Sequence, residues 1–288
     1  MTLVLSACSQ DVLVGHVSGE GGDPGAMAQA GRAGAVATAG AGATAGVGAT
    51  AGAGGGAIAG GGGAIAGASG SAGEGNVPTA PWSADHETES LSEWLGDGFG
   101  WEFSTWNGSV EISSERARTG QYALKSTLSS TDAREQAVVG RYVNLTEGYY
   151  SAWFYVPSQP EATGRVIFKL SAYDPDQDVF DITMVPKAAG GLGLTLYSHE
   201  EGRWISDPEA VPAVPLDTWF EVEAFYRSSP EPDGRVVVWQ DGALVIDTGP
   251  RVTGPNERVM LVVGSVGAGS ELGPVSLYVD SVRIGAGR

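Results

Sequence analysis

Four stretches of the sequence alternate apolar and polar side chains, and their polar members include groups that can recognise or cleave a sugar chain. The stretches are GRVIFKLSAY (164–173), VFDITMVPK (179–187), GLTLYSH (193–199) and FEVEAFYR (220–227). A period of two is typical of a β-strand that buries one of its faces. Because aromatic rings stack on sugar rings while a few polar groups fix their orientation, a second face of this composition can bind a glycan. The ligand-binding residues expected there are Lys169, Tyr173, Asp181, Thr183, Tyr197, His199 and Arg227.

The same face offers groups for an alternative function, β-elimination in a uronate-containing polysaccharide. That reaction needs a group that neutralises the substrate carboxylate, together with a base and an acid. The side chains available for these roles are Lys169, Tyr197, His199 and Arg165. A plainer interpretation also stays open, because the second face of an antiparallel sheet is usually just solvated. His199 precedes Glu200-Glu201-Gly202 and is then a loop residue.

The strands that would hold these residues are best defined between Asp217 and Val245. Alternation over Phe220–Arg227 predicts one strand, and the Pro, Ser, Asp and Gly cluster at 228–234 predicts a turn. A β-branched run over Val236–Trp239 predicts a second strand, and Asp241-Gly242 predicts a two-residue hairpin turn into a third. Similar segments lie at 136–145, 149–156, 164–173, 179–185, 192–198, 259–263 and 275–284. The sequence therefore predicts an all-β sandwich.

One pattern, W-x-x-V-x-x-x-Y followed by D-G-x-V-x-V-W-x-D-G-x-L, resembles the central hairpins of concanavalin A-like lectin/glucanase jelly rolls. The residues that carry this resemblance are Trp219, Val222, Tyr226, Gly234, Val236, Val238, Asp241, Gly242 and Leu244. The group includes laminin-G-like domains, sugar-binding modules and polysaccharide lyases. The resemblance implies a two-sheet antiparallel jelly-roll sandwich over 82–288, with one concave sheet as its ligand surface. It indicates the fold better than the function, because this fold carries both binders and enzymes.

The resemblance also bears on the type of enzyme. A hydrolase of this fold would carry E-x-D-x-x-E on one strand, which places the acid and the nucleophile on the same face. That motif is missing, and so are the strings R-x-E-L-R, Q-I-H and Y-F-K-A-G of alginate-type lyases. We therefore predict a carbohydrate-binding domain, with a polysaccharide lyase as the first alternative and a non-catalytic structural surface lipoprotein as the second.

A structural calcium is a further implication of the resemblance. The segments WSADHETESLSEW (82–94), RTGQYAL (118–124) and YVDSVRI (278–284) resemble three stretches that meet around calcium in related sugar-binding jelly rolls. The corresponding ligands are Glu87, the carbonyl of Gly120 and Asp280, with Asp85 as a possible addition. Carboxylates and carbonyls are the ligands that calcium prefers. The alternative is that Glu87 and Asp280 cap strand ends and pair with arginines.

The first 81 residues predict a membrane anchor and a spacer. Leu5-Ser6-Ala7-Cys8 resembles a bacterial lipobox, so we expect 1–18 to be the remnant of a lipoprotein signal with acylation at Cys8. No basic residue and only seven residues precede Cys8, which departs from a complete signal peptide. The Gly/Ala-rich segment 19–81 cannot bury a core and predicts a disordered tether. We expect a secreted protein held at the bacterial outer membrane or cell surface through lipid alone.

Charge and cysteine content exclude several other classes. The 288 residues carry a formal net charge of −18, which argues against nucleic-acid binding because that function requires a basic surface. The single cysteine rules out an internal disulfide and a cysteine-based zinc cluster. The expected partner is a polysaccharide or other glycan, and we expect a monomer.

Overall fold

Two antiparallel β-sheets account for almost all of the regular structure. The computed structural model describes residues 81–105, 107–132, 135–158, 164–172, 177–254 and 259–288, all within the unit Ser69–Arg288. Numbered in chain order, the eight-stranded sheet contains β1 (Trp82–Ala84), β3 (Gly108–Ser113), β4 (Ala123–Leu128), β6 (Glu147–Tyr155), β11 (Trp219–Arg227), β12 (Arg235–Gln240), β13 (Ala243–Asp247) and β15 (Val275–Gly285). The seven-stranded sheet contains β2 (Gly100–Ser104), β5 (Glu135–Val143), β7 (Arg165–Ala172), β8 (Gln177–Pro186), β9 (Leu192–Ser198), β10 (Arg203–Trp204) and β14 (Val259–Gly267).

The strand order confirms the predicted jelly-roll sandwich. The eight-stranded sheet runs β13-β12-β11-β6-β15-β4-β3 with β1 beside β15, and the seven-stranded sheet runs β10-β9-β8-β7-β14-β5-β2. Helical structure among the described residues is limited to one turn at Ser92–Leu95 and a 3-10 turn at Pro208–Ala210. The sequence analysis missed the turn at Ser92–Leu95, which is shorter than any helical period could reveal.

The core lies between the two sheets and is built from the apolar set of each strand. Phe154 and Phe220, from the eight-stranded sheet, are fully buried with ring centroids 6.0 Å apart. Phe168, from the seven-stranded sheet, packs against Phe154 at 6.5 Å. These three rings fill the space between the sheets. The polar side chains of the same strands point outward, as the alternation predicts.

The hairpins at 217–247 form as predicted. β11 pairs with β12 over six positions, and β12 pairs with β13 through the turn at Asp241-Gly242. Both turn residues have positive φ, 50° and 76°, which is the conformation of a tight hairpin turn that suits the twist of the strands. A glycine at the second position adopts it without steric cost.

Two bulges change which face a side chain takes. In β7 the register with β8 shifts between Val166 and Phe168, so Arg165 pairs with Met184. In β15 the register with β6 shifts between Asp280 and Arg283, where Ser281 has a φ of 51°. Bulges add a residue to one strand and re-aim its side chains, so strict alternation fails at both places.

Several predictions fall outside the described residues. These are Cys8, the signal remnant 1–18, the tether over 19–80 and the ligand residue Tyr173. In the part of the chain that the structure describes, no helix is long and apolar enough to span a membrane.

Candidate functional site

A row of polar and aromatic side chains crosses four neighbouring strands on the outer face of the seven-stranded sheet. Lys169 on β7 pairs with Asp181 on β8, and Asp181 pairs with Tyr197 on β9. Tyr197 in turn pairs with Trp204 on the short edge strand β10. Residues paired across antiparallel strands share a face, so the four side chains form one continuous row. The sequence predicted the first three of these residues as ligand-binding.

His199 joins this row beside Tyr197. Its Nε2 lies 2.9 Å from Oδ2 of Asp181, and its ring centroid lies 5.1 Å from that of Tyr197 in an edge-on arrangement. The side chain of His199 is 21% exposed, so it belongs to the accessible surface of the sheet. The structure therefore brings Tyr197 and His199 within reach of one sugar residue.

Asp181 is the buried centre of this group. It is only 6% exposed, and its two oxygens face different partners. Oδ2 contacts the imidazole of His199, whereas Oδ1 lies 3.9 Å from Nζ of Lys169 and makes no hydrogen bond among the described residues. A buried carboxylate is stable only when positive or hydrogen-bonding groups surround it. Asp181 thus fixes the positions of both neighbouring side chains.

Asp178 completes the group at the end of β8. Its carboxylate accepts hydrogen bonds from the ammonium of Lys169 and from the hydroxyl of Ser171 at 2.9 Å. Burial alone would raise the pKa of Asp178, but the charge and hydrogen bonds of Lys169 and Ser171 lower the pKa below its ordinary value. The carboxylate is therefore ionised at neutral pH and offsets the charge of Lys169.

A metal ion has little room to bind among these residues. The ligand atoms of Asp178, Asp181 and His199 all lie within 4.8 Å of one another. The Lys169 ammonium already bonds to Asp178 and lies near Asp181, so it supplies the positive charge that a cation would bring. A divalent metal would have to displace it. We name the site residues Lys169, Asp178, Asp181, Tyr197, His199 and Trp204 the polar half of this sheet face.

The other half of the same face is filled by apolar side chains. Val138, Met260 and Val262 are at most 5% exposed although they point away from the sandwich core, and Trp101 packs against them. Trp101 also covers Gly140, where an added Cβ would lie 2.6 Å from Nε1 of the indole. The predicted glycan surface is thus restricted to the polar half.

We expect Gly140→Ala to destabilise the protein by about 1–3 kcal/mol, because the methyl group must push Trp101 off the sheet. Denaturant unfolding measures the loss, and indole fluorescence reports the movement of Trp101. Gly287→Ala is the matched control, since nothing lies within 4 Å of an added Cβ there. Equal stability of the two variants would contradict this packing.

Arg165, a candidate for the β-elimination chemistry, and Arg227, a predicted ligand residue, do not lie on this face, so their predicted placement is wrong. Arg165 pairs with Met184 of the core and is 2% exposed, because the bulge in β7 shifts it to the inner side. Burial lowers the pKa of its guanidinium to about 10. Arg227 lies on β11 in the eight-stranded sheet, where its Nε donates to Glu147 at 2.6 Å. Neither side chain can reach a ligand on the polar half.

Thr183, another predicted ligand residue, lies beside the site without opening onto it. Thr183 pairs with Thr195 across β8 and β9, and both are at most 5% exposed. Lys187 donates to the carbonyl of Val211 and so holds a loop in place. The sequence analysis did not select Asp178 or Trp204. The only signal for Asp178 in the sequence was its position before a β-branched run. The irregular β7–β8 pairing that aligns Asp178 with Ser171 is not visible in the sequence.

The predicted calcium ligands meet, but their oxygens face N–H donors. Glu87 accepts from the amides of Gln121 and Tyr122 at 3.0 Å, and its carboxyl group packs against Gly120. Oδ2 of Asp280 accepts from two backbone amides, those of Arg118 at 2.8 Å and Thr119 at 3.1 Å. A calcium ion needs six to eight oxygen lone pairs directed at it, and these lone pairs point at hydrogens instead.

In this arrangement a calcium ion would have to displace the amides that already bond to the carboxylates of Glu87 and Asp280. The assignment stays a prediction. It requires that added calcium raise the melting temperature of the protein and that Asp280→Ala lose this rise.

Solved structures share this fold at low sequence identity. An endo-β-1,4-glucuronan lyase from the fungus Trichoderma reesei superposes with a TM-score of 0.52 at 17% identity, covering 71% of this chain and 94% of that one. An alginate lyase in complex with an alginate trisaccharide gives 0.53 at 15% identity, covering 73% and 99%. A cellulose-induced protein gives 0.50 at 13% identity, covering 71% and 96%. No protein-family model matches the sequence, and no curated protein does. The comparisons support the jelly-roll fold.

Proposed function

We propose that this protein binds a uronate-containing polysaccharide on the polar half of the seven-stranded sheet and cleaves it by β-elimination. The observation that carries the proposal is the convergence of Lys169, Tyr197 and His199 around the buried carboxylate of Asp181. The fold is also that of two solved lyases with different uronate substrates, glucuronan and alginate. The sequence analysis favoured glycan binding without catalysis, and we now place polysaccharide cleavage ahead of it.

Each of the three groups has a role that its surroundings permit. The ammonium of Lys169, whose charge Asp178 already offsets, donates a hydrogen bond to the substrate carboxylate, and this bond makes the neighbouring C5 proton more acidic. His199 accepts that proton, because Asp181 orients its ring and stabilises the imidazolium that forms. The C4–O bond then breaks, a C4=C5 double bond forms, and the Tyr197 hydroxyl donates a proton to the leaving oxygen. His199 and Tyr197 regain their starting states by proton exchange with water, so no net water is consumed.

The charge of the site also narrows the substrate class. Two carboxylates, Asp178 and Asp181, offset the positive charges of Lys169 and of protonated His199. The whole chain carries a net charge of −18. Such a surface repels a dense polyanion at long range. We therefore expect glycans with uronates spaced by neutral sugars to be better substrates than homopolymers of uronate.

The experiment is an ultraviolet assay for unsaturated uronate ends across polysaccharides of graded uronate density. The expected result is a steady rise in absorbance with at least one sparsely charged substrate, with Glu111→Gln as a control variant on the opposite sheet. No rise on any uronate-containing polysaccharide would overturn the elimination chemistry.

A binding role without catalysis is the second candidate, and Trp204 favours it. This indole is 42% exposed at the edge of the polar half, with its ring centroid 5.1 Å from that of Tyr197. Exposed aromatic rings of this kind stack on sugars. Retention of the protein in a polysaccharide gel without any unsaturated product would select this candidate over the lyase.

We further propose, from the sequence, that the domain is secreted and held at the cell surface by a lipid on Cys8. The supporting features are the LSAC motif and the Gly/Ala-rich segment that follows it. In a bacterial host, Cys8→Ser should move the protein from the membrane fraction to the soluble fraction. An unchanged distribution would remove this proposal.

A further inference from the structure

A groove on the outer face of the eight-stranded sheet has no role in the chemistry above. It encloses about 410 Å³, and its floor is formed by the rings of Tyr149, Phe225 and Trp239. Leu244 lies at its edge and is 59% exposed. We name these four residues, with the surrounding ion pairs, the aromatic groove. It lies on the opposite sheet from the polar half.

The strand register explains why the three rings meet. Tyr149 on β6 pairs directly with Phe225 on β11, and their ring centroids are 5.2 Å apart. Phe225 pairs with Val237 on β12, and Trp239 follows on the same face of that strand. The indole lies nearly parallel to Tyr149, with an interplanar angle of 29° and centroids 6.3 Å apart. A sheet face that only contacts solvent would carry polar side chains at these positions, so the three rings indicate an interaction site.

The rim of the aromatic groove is charged but balanced. Arg227 donates to Glu147 at 2.6 Å, and Arg235 donates to Asp247 at 2.9 Å. The two pairs carry no net charge, so they favour a neutral ligand over an anion. Guanidinium and carboxylate groups held in this way have further donors and acceptors available for hydroxyl groups.

A second, more polar groove continues from the first. It encloses about 430 Å³, shares Tyr149 with the aromatic groove, and is lined by Ser151, Glu221, Glu223 and Arg283 among others. Together the two grooves form one extended trough with an aromatic end and a polar end. That shape suits a linear ligand with several similar units.

We propose that this trough binds a neutral oligosaccharide, as a second glycan site independent of the elimination chemistry. Aromatic rings, balanced ion pairs for hydroxyl groups and an elongated shape match a chain of uncharged sugars. The guanidinium of Arg288 lies 4.6 Å from the centroid of the Trp239 ring, so a sugar that stacks on this ring takes the place of Arg288. Both grooves fall within the range of about 300–1,000 Å³ typical of small-ligand pockets.

The test is isothermal titration of the full chain with neutral hexasaccharides of glucose, xylose and mannose, which contain no uronate. We expect one of them to bind and Phe225→Ala and Trp239→Ala each to weaken binding about tenfold, the equivalent of one ring stack. Phe103→Ala is the matched control, because it removes a 46% exposed ring from the other sheet.

Circular dichroism shows whether each variant is folded. If a ring deletion is not folded, Leu244→Asp is a second probe of the groove. That substitution adds a charge at an exposed edge without removing a ring, and we expect it to weaken binding as well. Absence of binding by all three hexasaccharides would overturn the proposal, and so would binding that these substitutions leave unchanged. Sedimentation showing that the wild type dimerises and the variants do not would assign this face to a second copy instead, and would also overturn it.

Discussion

Replacing Asp280 with alanine is expected to lower the free energy of unfolding by about 3–5 kcal/mol, the usual effect of removing one partner of a buried charge network. The side chain is fully buried. Its oxygens accept from the backbone amides of Arg118 at 2.8 Å, Thr119 at 3.1 Å and Ser281 at 2.6 Å. His86 lies on its other side, with Nδ1 at 3.8 Å. Alanine would remove the acceptor of these three part-buried amides, and each loss of this kind is costly.

Asp280 links three segments that are distant in the sequence. It joins the loop before β4 to the bulge in β15 and to the segment after β1. His86 in that segment has a φ of 67° and accepts a hydrogen bond from the indole of Trp94 at 3.2 Å. Three pieces of backbone that are distant in sequence therefore depend on one acceptor. Urea unfolding measures the loss.

Glu147→Ala is the control for Asp280→Ala, because it removes a half-exposed ion pair with Arg227. We expect little or no change in stability for that exposed pair, because solvent screens the interaction. A loss of less than about 1 kcal/mol for Asp280→Ala would contradict the network described here.

The same carboxylate predicts a dependence of stability on pH. Burial alone would raise the pKa of Asp280, but the contact with His86 and the amides of Thr119, Arg118 and Ser281 lower the pKa below its ordinary value. Its contribution is therefore present above the unfolded-state pKa of about 3.9 and is lost as the pH falls through the lower, folded-state pKa. We expect the stability of the wild type to fall below about pH 4, and Asp280→Asn to lack this part of the decline. Parallel profiles would contradict this assignment.

The sequence predicts the layers of this protein well because alternation and turn chemistry are local. The hairpins over 217–247 follow from side-chain periodicity and from Asp241-Gly242 alone. The assignment of strands to sheets is a long-range property. Arg227 has the same alternation as Lys169, yet β11 pairs with β6 and belongs to the other sheet. No pattern within one strand contains that information.

The candidate site was predictable only in part for a related reason. Lys169, Asp181, Tyr197 and His199 were found because their strands are regular where they meet. Arg165 was assigned to the wrong face of the sheet, because one extra residue in β7 turns its side chain to the inner side. The apolar filling by Trp101 and Met260 was missed because β2 and β14 are distant in sequence and join the sheet on either side of β5. Side-chain types select candidates, whereas bulges and strand order decide which of them share a surface.

Tyr197→Phe and His199→Gln are each expected to lower kcat by about 10²–10⁴-fold, the usual contribution of a positioned acid or base. Tyr197→Phe removes only the hydroxyl and keeps the ring that contacts His199 and Trp204. The fold and stacking should therefore persist, with KM nearly unchanged. The ultraviolet assay with the best substrate supplies both constants.

Asp181→Asn separates a positioning role from a purely structural one. The amide keeps the shape of the carboxylate but loses the charge that faces Nε2 of His199 at 2.9 Å and Nζ of Lys169 at 3.9 Å. A neutral neighbour stabilises the imidazolium less, so kcat should fall while KM and the melting temperature stay near their wild-type values. A purely structural role would instead lower the melting temperature and leave the kcat of the folded protein intact. If Tyr197→Phe and His199→Gln both keep wild-type kcat while Glu111→Gln does the same, the polar half is not the catalytic surface.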